Sequence, residues 1–342
     1  MTQPSKPTTE QWAELYEAAK AIKKLEPWKH LWEDELTVIM LPEQSEPVFV
    51  SAMGRIGECF AIGVYPGYGP INSFYRLKEA ATDGMPPVTM AFEQDCLACN
   101  FGDREEVEPE DREAYKALGL KFRGRGEWIY FRSMEPGHFP WHIDYGQAEI
   151  MRQALTQYVI CMEEYLSDDG VDPDFDEGEV ILRAFSDGEW RTSAAMRPPI
   201  PMKRPKLVVD DMFTIARLKK SPQSRERLDF ELAYLPIPIQ EEKGDKPRLP
   251  RLALLMDRES GSPLGQHMAP AGDPIEAELL GMITGYIERQ GRPASINVRD
   301  NVAGRYIEDF CKKLGIEYIE GEGVPAADYL LEGFLGGMDD ME

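Results

Sequence analysis

The sequence predicts two domains of different class. Residues 1–200 read as an α+β domain, an antiparallel meander with helices, and residues 201–342 as an α/β domain. Three observations predict this. A chain of 342 residues exceeds what one hydrophobic core usually organises. Short alternating apolar runs separated by Gly/Pro turns fill much of the first part, whereas helical and extended patterns alternate towards the end of the second. Between them the chain from Arg197 to Pro205 carries Pro198, Pro199, Pro201 and Pro205, a stretch that favours a semi-rigid extended linker.

The elements follow in order. Thr9 is placed to cap a helix with Trp12, Leu15, Tyr16, Ala19 and Ile22 at helical spacing. Three β-like runs come next, 36–41, 48–53 and 59–65, and residues 65–70 form a Pro/Gly loop. Further strands are expected over 88–92 and 96–101, and a helix with an acidic first turn over 105–118. A short aromatic strand over 128–132 leads into a proline-broken segment that contains His138 and His142. The strongest helical stripe of this part is 147–166, through Ile150, Met151, Ala154, Leu155, Tyr158, Val159 and Met162. Runs 180–185 and 190–195, joined at Asp187 and Gly188, make a hairpin.

In the second part, strands are expected over 228–234, 251–256 and 263–268. A helix then opens with Asp273 as N-cap, Pro274 at the first helical position and Glu276 beyond, and it ends at Gly291. Ile296 and Val298 mark a strand that stops at Arg299, Asp300 and Asn301. A helix over 302–314, a strand over 316–319 and a terminal helix over 326–334 complete the order β-β-β-α-β-α-β-α. Asp300 therefore stands where a strand ends and a helix begins, the position at which open α/β sheets tend to place chemistry.

Composition narrows the function classes. With 61 acids against 38 bases the formal charge is −23, and both parts are acidic when the chain is split after residue 204. Neither part has the basic excess that binding a phosphate backbone needs, so nucleic acid is disfavoured as a partner and a protein partner is expected. Hydrophobic residues at 42% are enough to bury cores, and no apolar run is long enough to cross a bilayer. Five cysteines, an odd number, with no charged-then-apolar leader, fit a reduced cytoplasmic protein.

Residues of the second part, taken in order, resemble the ribonuclease H-like fold in its integrase and transposase form. The matching residues are Glu231 with Tyr234, Leu235 and Pro236; Leu254 to Asp257 with Leu264 and Gly265; Asp300 with Asn301; and Lys313 to Ile316. The resemblance covers about 228–332. The whole chain also resembles an uncharacterised bacterial two-domain family, with Pro140 and Trp141 before the long helix. The fold, where active, implies carboxylates holding two divalent ions, Mg or Mn, for phosphodiester cleavage. Position by position this puts Glu231 first, with Asp229 on the same strand face as its substitute, and Asp300 second. An acid of the last helix comes third, Glu332 or Asp328. Glu231 in place of aspartate and Val302 in place of the usual glycine depart from the pattern. A catalytically degenerate fold acting as a binding or regulatory module, without cofactor, is therefore the leading expectation, and a metal-dependent nuclease or strand-transfer-like enzyme is the alternative.

Plainer roles compete for the same residues. Asp300 or Asn301 can cap the following helix, and Glu231 can be a solvent-facing strand residue. Cys96, Cys99, His138 and His142 supply zinc-ligand chemistry, but a strand over 96–101 turns the two thiols to opposite faces. His142 and Asp144 could pair as acid and base.

Overall fold

Alternating apolar residues build a seven-stranded sheet in the first part of the chain. Its strands are β1 (Thr37–Met40), β2 (Val48–Met53), β3 (Phe60–Pro66), β4 (Cys96–Gly102), β5 (Trp128–Met134), β6 (Glu179–Ser186) and β7 (Glu189–Met196). They lie in the order β5-β4-β3-β2-β1-β6-β7. The computed structural model describes residues 5–57, 59–82, 85, 87–201, 207–242, 244–270 and 273–331. The chain divides into two units, one of Met1–Phe74, Gln94–Glu135 and Pro140–Pro201, the other of Tyr75–Glu93, Pro136–Phe139 and Met202–Glu342.

In the first unit β1 to β5 form the expected antiparallel meander. The sheet as a whole is mixed, because β6 joins β1 in parallel, Val38 opposite Leu182. A parallel pairing needs a long crossover, and α5 (Tyr145–Tyr165) is part of it. One face of the sheet packs on α5 and on α1 (Thr9–Leu25), burying Leu15, Ile22, Phe131, Leu155 and Tyr158 in one core. Thr8, one residue before the expected cap, closes α1: it accepts from the Gln11 backbone at 3.1 Å, and Gln11 accepts from the Thr8 backbone at 3.0 Å.

Three predicted elements of this part take other forms. Residues 88–92 are helical, not extended: α3 (Pro87–Phe92) begins with a proline, which the first turn of a helix tolerates. The loop expected over 65–70 shrinks to the turn at Gly67, φ 88, because β3 runs to Pro66 and α2 (Tyr68–Thr82) starts directly after it. The helix expected over 105–118 starts only at Pro109, as α4 (Pro109–Leu118), after a separate turn at Arg104–Glu106.

The second unit is built on β8 (Arg227–Tyr234), β9 (Arg251–Asp257), β10 (Pro263–Ala269), β11 (Ser295–Val298) and β12 (Glu317–Glu320), in the order β10-β9-β8-β11-β12. β10-β9-β8 run antiparallel, and β8, β11 and β12 run parallel. Between strands lie α6 (Met212–Leu218), α7 (Glu276–Gln290), α8 (Asn301–Gly304) and α9 (Glu308–Leu314). Leu228, Phe230, Leu255 and Ile296 face the helices and bury Ile215, Ile283 and Phe310. The opposite face carries Leu252, Leu254 and Met256 under Val324 and Ala327, the latter in a helix that is described over 325–331.

Two corrections apply here. The helix expected to start at Asp273 starts at Glu276, and its N-cap position, Ile275, makes no side-chain hydrogen bond. The helix expected over 302–314 is broken between α8 and α9 by tight turns, Tyr306 N to Ala303 O and Ile307 N to Gly304 O.

Candidate functional site

The face of the sheet turned away from the α7 core holds an unusual density of buried charge. β8 alternates, so Leu228, Phe230 and Leu232 enter the apolar core while Asp229 and Glu231 point to the other side. β11 does the same: Ile296 and Val298 are core, and Asn297, opposite Asp229 in the parallel register, lies on the charged side. Arg299, next in the alternation, follows it there. Asp229, Glu231, Asn297, Arg299 and Asp300 are all buried.

Arg299 is the centre of the arrangement. Its Nε donates to Glu231 Oε2 at 2.9 Å, and its Nη2 donates to Asp328 on the 325–331 helix. The guanidinium thus stands between the first-strand acid and the acid of the last helix. Asp229 is engaged separately, accepting from Arg258 Nη1 at 3.0 Å and from Asn297 Nδ2 at 2.9 Å. Arg258 also reaches Glu322, so each acid of β8 is joined through one arginine to one acid of the C-terminal segment. The Oδ1 atom of Asn297 is buried and accepts no hydrogen bond from the described residues.

Asp300 does what a helix cap does. Its Oδ1 accepts from the backbone of Val302 at 2.8 Å and of Ala303 at 3.0 Å, satisfying two donors that the start of α8 would otherwise leave open. Burial pushes its carboxyl above the usual range, against these two bonds. Burial likewise raises Glu231, to about 7, although Arg299 pulls the other way. Glu332 lies outside the described residues.

The divalent-metal donor set implied by the fold fits this geometry poorly. A metal pair needs carboxylate oxygens converging on one point with water or ligand access. Here Glu231 and Asp328 converge on a guanidinium, and Asp229 is taken by Arg258 and Asn297. Among the described residues, one group of three brings candidate ligand atoms within 4.8 Å of one another, and it is elsewhere: Glu108, Glu110 and His142 in the first unit.

The cysteine–histidine set is not gathered into a ligand cluster. Cys96 and Cys99 lie on opposite faces of β4, as their odd spacing dictates; Cys99 is in the main core, and Cys96 is paired with Tyr65. Burial pushes the Cys96 thiol up to about 12, away from the thiolate that zinc requires. His138 belongs to the second unit, where its Nδ1 lies 3.1 Å from Pro136 O. His142 contacts Glu108 at 2.9 Å and Glu110 at 3.6 Å, and this bond holds the Glu108 carboxyl below its usual range. Asp144 does not pair with His142; it caps α5, accepting from Gln147 N at 2.9 Å.

Two charged participants escape a reading of the sequence. Arg299 carries a signal, since Asn297 and Arg299 continue an alternation against Ile296 and Val298. Glu93 carries none: it lies at the end of α3, yet its side chain accepts from Tyr234 of β8 at 2.7 Å.

No curated protein matches the chain. A profile of a domain of unknown function (DUF7309) matches residues 12–183, and a profile of a second domain of unknown function (DUF6930) matches residues 214–335. Among solved structures, similarity extends to a chain of the cryoEM structure of the simian T-cell lymphotropic virus intasome in complex with PP2A regulatory subunit B56 gamma. That match has 15% identity and a TM-score of 0.22, and covers 35% of this chain and 43% of that chain.

Proposed function

The chain belongs to the family of the domain of unknown function DUF7309, and we propose that its second unit is a catalytically degenerate ribonuclease H-like fold that serves as a binding or regulatory module. The strand order β10-β9-β8-β11-β12, with three antiparallel strands followed by two parallel ones, supports the fold part of this reading. One observation carries the functional part. Arg299 occupies the space between Glu231 and Asp328, where an active site of this kind would need to hold a cation. The buried guanidinium already supplies the cation that both carboxylates face, and a metal ion could enter only by displacing a side chain fixed in the chain. Asp300 is committed to the start of α8. The recognised partner is a protein, since a chain of charge −23 repels polyanions at distance.

The test is manganese titration of the wild type and of Asp300→Ala by calorimetry, with a cleavage assay on duplex and single-stranded DNA alongside. The expected result is no Asp300-dependent heat and no cleavage. Manganese-dependent cleavage that disappears in Asp300→Ala would overturn the reading and establish the nuclease alternative.

A further inference from the structure

The imidazole of His142 gathers two carboxylates that belong to a different part of the first unit. Its Nε2 stands 2.9 Å from Glu108 Oε2 and 3.6 Å from Glu110 Oε2, and the three atoms all lie within 4.8 Å of one another. Residues two apart on a helix do not face each other, so the spacing of the two glutamates does not announce this meeting. Glu108 escapes the rule because it is the N-cap residue of α4, with extended backbone at φ −82 and ψ 165, whereas Glu110 is already in the first turn. The change of backbone between them lets both side chains reach one ring.

Two of the three residues are held from outside the cluster. Trp141 N donates to Ser133 O at 3.1 Å, Ser133 N donates to Trp141 O at 2.7 Å, and the Trp141 ring lies 5.1 Å from the imidazole. His142 is thereby fixed against β5. Asp111 Oδ2 accepts from Glu108 N at 2.9 Å, and Arg132 grips Asp111 with bonds of 3.0 and 2.7 Å. Arg132 Nη2 also stands 3.8 Å from Glu108 Oε1, the oxygen that does not face His142. Outer partners of this kind orient the ligands of metal sites.

The charge and the distances suit a divalent cation. Arg132 is matched by Asp111, which leaves the two glutamates to outweigh the positive end of α4, roughly +0.5 of a charge. In a tetrahedral zinc site with bonds of about 2.0–2.2 Å, neighbouring ligand atoms lie roughly 3.4 Å apart. The two distances from His142 bracket that value. Glu110 is half exposed, so water can reach the group. In the absence of metal the 2.9 Å contact is a hydrogen bond through a proton on Nε2; a metal ion takes the place of that proton and releases it.

We propose that Glu108, Glu110 and His142 form a binding site for a divalent transition-metal ion of the zinc type, with water completing its coordination. One imidazole nitrogen beside two carboxylates selects such an ion over magnesium or calcium, which prefer oxygen ligands alone. The site lies wholly in the first unit, and the proposal is independent of the degenerate-fold reading of the second.

The experiment is calorimetric titration of the full-length protein with zinc in the presence of excess magnesium, with imidazole nitrogen NMR of its four histidines alongside. The wild type is expected to bind one zinc ion per chain and to shift the His142 resonance. Glu110→Gln and His142→Ala should each weaken binding about tenfold or more, and Asp300→Ala should leave it unchanged. Absence of zinc binding to the wild type would overturn the proposal, as would binding that excess magnesium abolishes or that both site variants leave unchanged. Binding lost in Asp300→Ala would overturn it too, by placing the ion in the second unit. Glu110→Gln alters a half-exposed side chain and keeps the fold, so the test stands even if His142→Ala does not fold. A failure to bind zinc leaves the degenerate-fold reading intact.

Discussion

Replacing Arg299 by methionine tests the centre of the second unit. The substitution keeps the length of the side chain and removes the charge that Glu231 faces at 2.9 Å. Both side chains are nearly enclosed, at 7% and 5% exposure, so solvent cannot take over the guanidinium's role. Removing one partner of such a buried pair costs about 3–5 kcal/mol when the other stays charged. The loss depends on pH, with a definite sign. Glu231 titrates near 7 in the folded protein and near its ordinary 4.5 when unfolded. Between those values the folded state binds more protons, so the contribution of this group to stability is fully present below 4.5 and declines as pH rises through 7. Without Arg299 the folded carboxyl titrates higher still. At pH 8 the variant must either bury a lone charge or take up a proton. At pH 5 Glu231 is mostly protonated in both proteins, and the deficit falls towards the 1–2 kcal/mol or so of lost hydrogen bonds.

The assay has to look at this unit alone. Trp12, Trp28, Trp32, Trp128, Trp141 and Trp190 all belong to the first unit, so tryptophan fluorescence does not follow the second. Hydrogen exchange of peptides covering β8 and β11, read by mass spectrometry at pH 8 and pH 5 with correction for intrinsic rates, does. Glu231→Leu combined with Arg299→Met should recover much of the loss, since apolar packing can replace a buried ion pair. Equal deficits at both pH values, or strictly additive single and double variants, would refute the argument that Arg299 neutralises Glu231.

Two further outcomes are expected. Asp300→Ala should cost about 1–2 kcal/mol through loss of the cap on α8, with Asp300→Asn retaining most of it, seen as faster exchange of the Val302 and Ala303 amides. Gly291→Ala should destabilise α7 by about 1–3 kcal/mol, because φ is +91 there and the added methyl would meet Pro222 O at 2.6 Å; thermal unfolding followed by far-UV circular dichroism measures it.

Much of the scaffold could be read from local pattern. β8 alternates, β9 is a short continuous apolar run, and the stripe on α5 is visible residue by residue, because such patterns are properties of neighbours in the chain. The errors share a cause. Val88 and Thr89 favour strands by propensity, and α3 forms regardless; six residues carry too little local preference to resist their surroundings. The break between α8 and α9 has a tertiary origin as well: Gly304 packs so close to the Tyr318 ring that a side chain would collide with its hydroxyl. At the candidate site the acids were legible and their partners were not. Arg299 and Glu231 are 68 residues apart, and Glu93 and Tyr234 are 141 apart. Those meetings depend on strand register and on where α3 comes to lie, neither of which is encoded in the neighbourhood of the residue concerned.

The two acid–arginine–acid sets also bear on why Glu231 and Asp229 are acids at all. Were they relics of a lost activity and nothing more, neutral replacements would cost little and burying them charged would be a pure penalty. Each instead joins the sheet to the C-terminal segment, Asp229 through Arg258 to Glu322 and Glu231 through Arg299 to Asp328. Val324 and Ala327 lie between those two points in the sequence and complete the small apolar core over Leu252, Leu254 and Met256. The directional bonds at 322 and 328 flank that core and add to it. A fixed guanidinium suits this better than a divalent ion would, because it is always charged, planar and supplied by the chain itself.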